Sequence, residues 1–153
     1  MEPVVATVAD LYRAVHAKLR EAVGGLDEAA LNWVPAPEAN SVAILVVHTL
    51  GSEAEVLRTV RAVPGDRDRD AEFRTGAETE ASLLRRLDDG DALLAEMTGA
   101  ITPDDLTAER PRGDRPPQTG LYWLLSNYGH AREHLAHVEL TKQMYQVTHG
   151  DQR

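Results

Sequence analysis

Three histidines in the last quarter of the chain, His130, His134 and His137, have the spacing of residues on one face of an α-helix. Steps of four and three residues place them within an arc of roughly 60°. His48 lies directly after the apolar run 42–47, so it is predicted to be buried as well. A buried imidazole without a partner costs about 1 to 3 kcal/mol, and a shared cation would remove that cost. A histidine pair at i and i+4 with a third from a facing helix suits a catalytic Zn, Ni or Fe ion. The competing interpretation is a set of core histidines satisfied by hydrogen bonds.

Three further polar residues are predicted to lie near these histidines. Glu133 is the glutamate of a His-x-x-Glu-His sequence that ends at His134, the form found in inverted zinc proteases, where it acts as a base. The match is only five residues long, and a surface carboxylate is the simpler interpretation. Asn127 shares the histidine face, and Glu55 follows His48 by two helical turns. Glu55 is therefore a candidate to hold a ligand or orient a ring, with a solvated charge as the alternative.

Four helices must position these residues. Apolar residues at steps of three and four predict helices over about 3–23, 41–63 and 119–147. A Thr-x-x-Glu capping box at Thr75 predicts the start of another, which runs to about residue 100. This pattern indicates an all-α fold, a single four-helix bundle.

The segments between the helices are predicted to be irregular. Residues 66–75 alternate Asp with Arg and have little to bury, so we expect a mobile surface loop without a function. Residues 102–118 contain four prolines, which predicts a long crossover without strands. His16, beside the core stripe of the first helix, and His149, in a polar end expected to fray, are assigned no role.

Composition limits the class of protein. The 153 residues, 42% of them apolar, predict one domain over 1–149 and a polar tail over 150–153. A net charge of −9 argues against binding to nucleic acid or to anionic membranes. The chain has no cysteine, which excludes disulfides and thiolate zinc sites and fits a reducing compartment. Since no apolar stretch has spanning length, we expect a cytoplasmic protein that acts on a small molecule.

Two stretches of the sequence resemble the DinB-like superfamily of damage-inducible proteins. They are LNWVPAPEANSVAILVVH at 31–48 and HAREHLAH at 130–137. The resemblance covers nearly the whole chain. It implies a four-helix bundle in which long crossover loops permit an up-down-down-up path.

The resemblance also implies a metal site. In that family a histidine on the second helix and a His-x-x-x-His pair on the last helix bind a divalent metal, which corresponds here to His48, His130 and His134. Many members continue with x-Gly-Gln, where this chain has Ala136 and His137. His137 is therefore expected to support the ligands by a hydrogen bond, to supplement them or simply to pack.

Relatives that share the histidine triad imply an activity class. They include thiol-dependent isomerases and transferases that use mycothiol or bacillithiol, among them the N-terminal domains of mycothiol-dependent maleylpyruvate isomerases. A metal-dependent hydrolase would use the same three histidines. The alternative is a noncatalytic stress-response protein that acts as a homodimeric interaction module. Leu121, Leu125 and Tyr128, on the side of the last helix away from the histidines, are the predicted dimer surface.

Overall fold

The chain is mostly helical. The computed structural model describes residues 1–150 and contains, in chain order, α1 (Pro3–Val23), α2 (Glu28–Leu31), α3 (Val42–Val60), α4 (Arg69–Phe73), α5 (Glu80–Ala100), α6 (Pro103–Thr107), β1 (Glu109–Arg112), β2 (Arg115–Thr119) and α7 (Gly120–His149). The all-helical prediction is confirmed for the long elements. None of the helices formed by residues 1–150 combines the length and apolar character that crossing a membrane requires.

The four long helices share one hydrophobic core. Helix α1 packs against α5 and α7, and α3 packs against the same two helices. The largest fully buried apolar side chains come from all four long helices and from α2; they include Tyr12, Leu19, Leu31, Leu57, Leu83, Leu87, Leu94 and Leu124. The contact between α3 and α7 is the most extensive in the molecule, so it fixes His48 of α3 against the histidine face of α7.

Short side chains cap the starts of α3, α5 and α7. Ser41 accepts a hydrogen bond from the backbone N–H of Ile44 and so caps α3. The capping box predicted at Thr75 is wrong, because the box of α5 is formed four residues later by Thr79 and Ser82. Glu78, the glutamate of the predicted box, pairs with Arg86 instead.

Residues 66–75 do not form the featureless loop that their composition predicts. Asp68 caps α4, and this short helix packs against α3. Ion pairs and a single aromatic ring hold the segment: Arg67 pairs with Glu72, and the Phe73 ring lies 4.8 Å from that of His48. The prediction failed because it counted only aliphatic periodicity as a source of burial.

The proline-rich connection is also more ordered than predicted. It contains α6 and an antiparallel hairpin of β1 and β2, so the expectation of no strands is wrong. The hairpin turns at Gly113, whose φ of +61° favours glycine. Its three prolines are tolerated because a two-stranded ribbon has two open edges. The hairpin contacts α3 and α7 and so reaches the histidines.

Two histidines without a predicted role make specific contacts, one of them buried and the other exposed. His16 is fully buried between Glu53 of α3 and Asp91 of α5. His149 ends α7, and its ring stacks on Tyr145. Of the polar tail predicted over 150–153, only Gly150, the C-cap of α7, belongs to the described residues.

Candidate metal centre

Three histidines converge where α3 crosses α7. His48 comes from the middle of α3, while His130 and His134 lie one turn apart on α7. The Nε2 atoms of His130 and His134 are 3.0 Å apart, and those of His130 and His48 are 3.4 Å apart. One ligand atom from each of the three rings lies within 4.8 Å of the other two. The structure therefore brings together the three residues that the sequence pairs with a metal.

Two of these separations suit donors of one cation. At a bond length of about 2.0 to 2.1 Å, two nitrogens on one zinc ion lie about 3.0 Å apart at a right angle and about 3.4 Å apart at the tetrahedral angle. The two short Nε2–Nε2 distances fall at these values. A single imidazole N–H can bridge only one such pair, whereas a cation uses the lone pairs of all three rings.

The electrostatics keep the imidazoles neutral. Burial lowers the pKa of His134 to about 4, and the neighbouring rings of His130 and His48 act in the same direction. Burial also lowers the pKa of His130 and of His48. Neutral imidazole is the form that binds metal, so at neutral pH these donors need not release a proton first.

A carboxylate from α4 orients His48. The Nδ1 atom of His48 lies 3.0 Å from Oε1 of Glu72. The guanidinium of Arg67 is also near, at 3.3 Å, but it can only donate, so we assign the Nδ1 proton to the bond with Glu72. This assignment leaves the Nε2 lone pair directed at His130. A carboxylate behind a ligating imidazole is a common arrangement in metal sites, where it fixes the tautomer and raises basicity.

A network of charges holds Glu72 in place. Arg67 donates to both oxygens of Glu72 and, through Nη1, to Glu55. Glu55 also accepts from Arg112 of the hairpin. Burial alone would raise the pKa of Glu55, but Arg112 and Arg67 outweigh it and hold that pKa below its usual value. Glu55 thus forms ion pairs with two arginines, and it makes no hydrogen bond to a histidine ring among the described residues.

One buried imidazole nitrogen in the centre has no hydrogen-bond partner among the described residues. Nδ1 of His134 is buried and makes no hydrogen bond to any described residue. The ring of His134 is therefore held by packing and by its Nε2 atom alone. A buried polar atom without a partner is uncommon in native structures, and a bound ion on the same ring is one arrangement that accounts for it.

The other predicted residues lie around the triad. Asn127 accepts from Ser52 and donates to the Tyr12 hydroxyl, so it joins α7 to α3 and α1 and does not contact the rings. His137 is exposed and lines an apolar groove beside Pro35, with its ring centroid 5.8 Å from that of His134.

Glu133 and the predicted dimer surface lie on the outside of α7. The Glu133 side chain is exposed and makes no hydrogen bond or ion pair within residues 1–150. Leu121 and Tyr128 pack partly against the core, whereas Leu125 is 47% exposed. Of the predicted dimer surface, only Leu125 is therefore exposed, and Leu121 and Tyr128 are half-buried.

Sequence patterns missed the charged residues of the centre. Glu72 and Arg67 lie in the segment predicted to be a mobile loop, and Arg112 lies in the connection predicted to be irregular. One signal was present: Phe73, the only phenylalanine of the chain, follows Asp68, a good N-cap residue, by five positions. An aromatic residue in an otherwise charged segment indicates an anchored turn.

Comparison with known proteins confirms the family resemblance. The sequence pattern of the DinB superfamily matches residues 11–138, so the chain belongs to this superfamily. A solved structure from Enterococcus faecalis, described as a conserved protein, matches with a TM-score of 0.78. That match covers 94% of this chain and 98% of the other at 17% sequence identity, and it shows a shared fold alone. No curated protein matches the chain.

Proposed function

We propose that this DinB protein is a metalloenzyme that binds a divalent cation, Zn, Ni or Fe, through His48, His130 and His134. The observation that carries the proposal is the convergence of the three Nε2 atoms, two pairs of which have the separations of donors on one ion. The proposal treats residues 1–149 as one four-helix-bundle domain, because α1 and α3 each pack against both α5 and α7. The up-down-down-up path is carried over from the family resemblance.

Three imidazoles leave coordination positions open for a reactant. A cation in this place would lower the pKa of a bound low-molecular-weight thiol, such as mycothiol or bacillithiol, or of water, and so supply a nucleophile near neutral pH. The chain's own residues prepare the donors. Glu72 holds the Nδ1 proton of His48, Arg67 fixes Glu72, and the buried surroundings keep the His134 ring unprotonated.

Metal content tests the proposal directly. Untagged protein purified without chelator is expected to carry close to one equivalent of metal by elemental mass spectrometry, and the His130→Ala/His134→Ala variant is expected to lose it. The matched control is His137→Ala/His149→Ala, which removes two histidines from the same helix outside the triad. Trace metal at equal levels in all three proteins would reduce the triad to core histidines.

Cobalt substitution distinguishes the two reactants. If a thiol binds at the open position, adding mycothiol or bacillithiol to the Co²⁺ protein produces a thiolate-to-cobalt charge-transfer band. If neither thiol changes the spectrum while ester or amide substrates are hydrolysed, water is the reactant. A metal-loaded protein without either behaviour would refute the catalytic part of the proposal.

A noncatalytic homodimer is the second candidate. Tyr122 and Leu125, three residues apart on α7, are 48% and 47% exposed, and they form an apolar spot on the outside of the helix. Under this hypothesis the metal stabilises the fold and the spot pairs with a second copy. Sedimentation of Leu125→Glu decides: a dimer that becomes a monomer supports the interface, and an unchanged mass rules it out.

A further inference from the structure

A cleft beside the triad is lined by four arginines. It has a volume of about 180 Å³, and His48 and His130 form part of its wall. Arg67 and Arg69 reach it from the segment around α4, and Arg112 and Arg115 reach it from the hairpin. The described residues that line the cleft include no aspartate or glutamate. A protein with a net charge of −9 thus concentrates positive charge at one place, next to its candidate metal centre.

Two of the four arginines form ion pairs with carboxylates outside the cleft, and two do not. Arg67 and Arg112 share Glu55, and Arg67 also pairs with Glu72. Arg69 and Arg115 are exposed and form no ion pair with any residue in the range 1–150. The mouth of the cleft therefore carries two uncompensated guanidinium groups.

Specific contacts in the hairpin and in α4 place three of these arginines at the cleft. Arg112 and Arg115 are register partners across the hairpin, an arrangement of like charges that destabilises a strand pair. The Arg69 guanidinium lies 4.8 Å from the centre of the Phe73 ring, and Phe73 in turn packs on His48. An anion in the cleft would offset the repulsion across the hairpin and would lie beside the triad.

We propose that this cleft binds the anionic group, a carboxylate or a phosphate, of the molecule on which the protein acts. Guanidinium groups match both kinds of anion with paired N–H donors. The volume is below the roughly 300 to 1,000 Å³ of pockets for drug-sized ligands, so the ligand is a small acid or the acidic end of a larger one. A role for the cleft in catalysis rests on the proposed metal centre, but the binding of an anion in the cleft does not.

Calorimetric titration with inorganic phosphate and with succinate, at constant ionic strength, tests this proposal. The Arg69→Gln/Arg115→Gln variant is expected to bind the preferred anion about tenfold or more weakly than wild type. The matched control is Arg85→Gln/Arg132→Gln, which removes two exposed arginines outside the cleft and changes net charge equally. Circular dichroism and metal content are measured for every variant.

The outcomes separate the two proposals. Anion binding that falls only in the Arg69/Arg115 variant supports the cleft, and the tighter of the two probes identifies phosphate or carboxylate as the preferred group. If binding is arginine-dependent in a wild-type protein that holds no metal, the anion site stands and the metal centre fails. If both anions bind equally to the variant and its control, or to neither wild type nor variant, the cleft proposal is overturned whether or not metal is bound.

Discussion

The buried contact of His16 with two carboxylates predicts a specific dependence of stability on pH. Nε2 of His16 lies 2.8 Å from Glu53 and Nδ1 lies 2.6 Å from Asp91, and the His16 side chain is fully buried. Burial would lower the pKa of His16, but the two carboxylates outweigh it and raise that pKa above the ordinary 6.5. The contribution of His16 to stability is therefore complete below pH 6.5 and is lost as pH rises through its folded-state pKa.

Asp91 determines how the stabilisation by the same network is lost at acidic pH. Burial would raise its pKa, but His16 and Arg20 hold that pKa below the ordinary 3.8. Its contribution is present above pH 3.8 and is lost as pH falls through the folded-state value. Both contributions are thus complete between pH 3.8 and 6.5, and one titrating proton changes the free energy of unfolding by at most about 1.4 kcal/mol per pH unit.

Removing one partner should cost much more than removing both. His16→Leu leaves Glu53, which is 2% exposed, without its counter-ion, and breaking a buried pair in this way costs about 3 to 5 kcal/mol. Burial already raises the pKa of Glu53, so in the variant Glu53 can take up a proton. Its neutralisation brings the loss of stability closer to about 3 than to about 5 kcal/mol. The double variant His16→Leu/Glu53→Met replaces the pair with apolar groups and is expected to recover most of the loss.

Urea unfolding between pH 5 and 9, followed by far-ultraviolet circular dichroism, measures these quantities. Each curve gives the free energy of unfolding against pH. The substitutions leave the candidate metal centre intact, so its contribution cancels when the variant curve is subtracted from the wild-type curve. In the difference between wild type and the double variant, which lacks both groups, the contribution of His16 is expected to shrink as pH rises above 6.5. A single variant as stable as wild type, or a double variant no better than the single one, would show that His16 and Glu53 are not coupled.

Two further predictions concern the carboxylate behind His48. Glu72→Gln is expected to weaken cation affinity roughly 10- to 100-fold in a chelator competition, and Asp70→Asn, which removes an exposed charge from the same short helix, should leave affinity unchanged; equal affinities would show that Glu72 does not tune His48. Gly51→Ala adds a methyl group that overlaps the Glu72 carboxylate, so it should weaken affinity in the same assay, whereas a methyl at Gly129 of α7 meets nothing within 4 Å. Equal effects of the two alanines would contradict this arrangement.

The long helices could be predicted because burial along them follows a period of 3.6 residues. Val5, Val8, Tyr12, Val15 and Leu19 of α1 are buried at those steps. The same regularity predicted that His130 and His134 point to one side of α7, and the apolar surroundings of His48 predicted its burial. The family resemblance then linked three histidines that no local pattern connects.

The short elements could not be predicted in this way. Segment 66–75 is ordered by the pairing of Arg67 with Glu72 five positions on, and by the packing of Phe73 on His48 of another helix. Neither contact belongs to an aliphatic helical period. The burial of His16 also depends on distant partners, because Glu53 and Asp91 come from two other helices. Gly90, which lowers helix propensity within α5, lies where an added Cβ would meet Leu50 and His16. Local propensity therefore predicted a weak point where the structure has a close approach.

The candidate metal centre and the arginine cleft are carried by different kinds of elements, the long helices and the short segments between them. The candidate metal donors lie on α3 and α7, the most extensively packed pair of helices, where their separation is fixed by the core. The arginines that face the cleft come from the segment around α4 and from the hairpin, whose conformations depend on a few ion pairs and one aromatic ring. Because such connections tolerate change far better than a packed core, the choice of anion can vary without disturbing the donors. Substitutions at Arg69 and Arg115 should accordingly weaken or change anion binding without loss of metal, whereas substitutions at the three histidines should abolish metal binding.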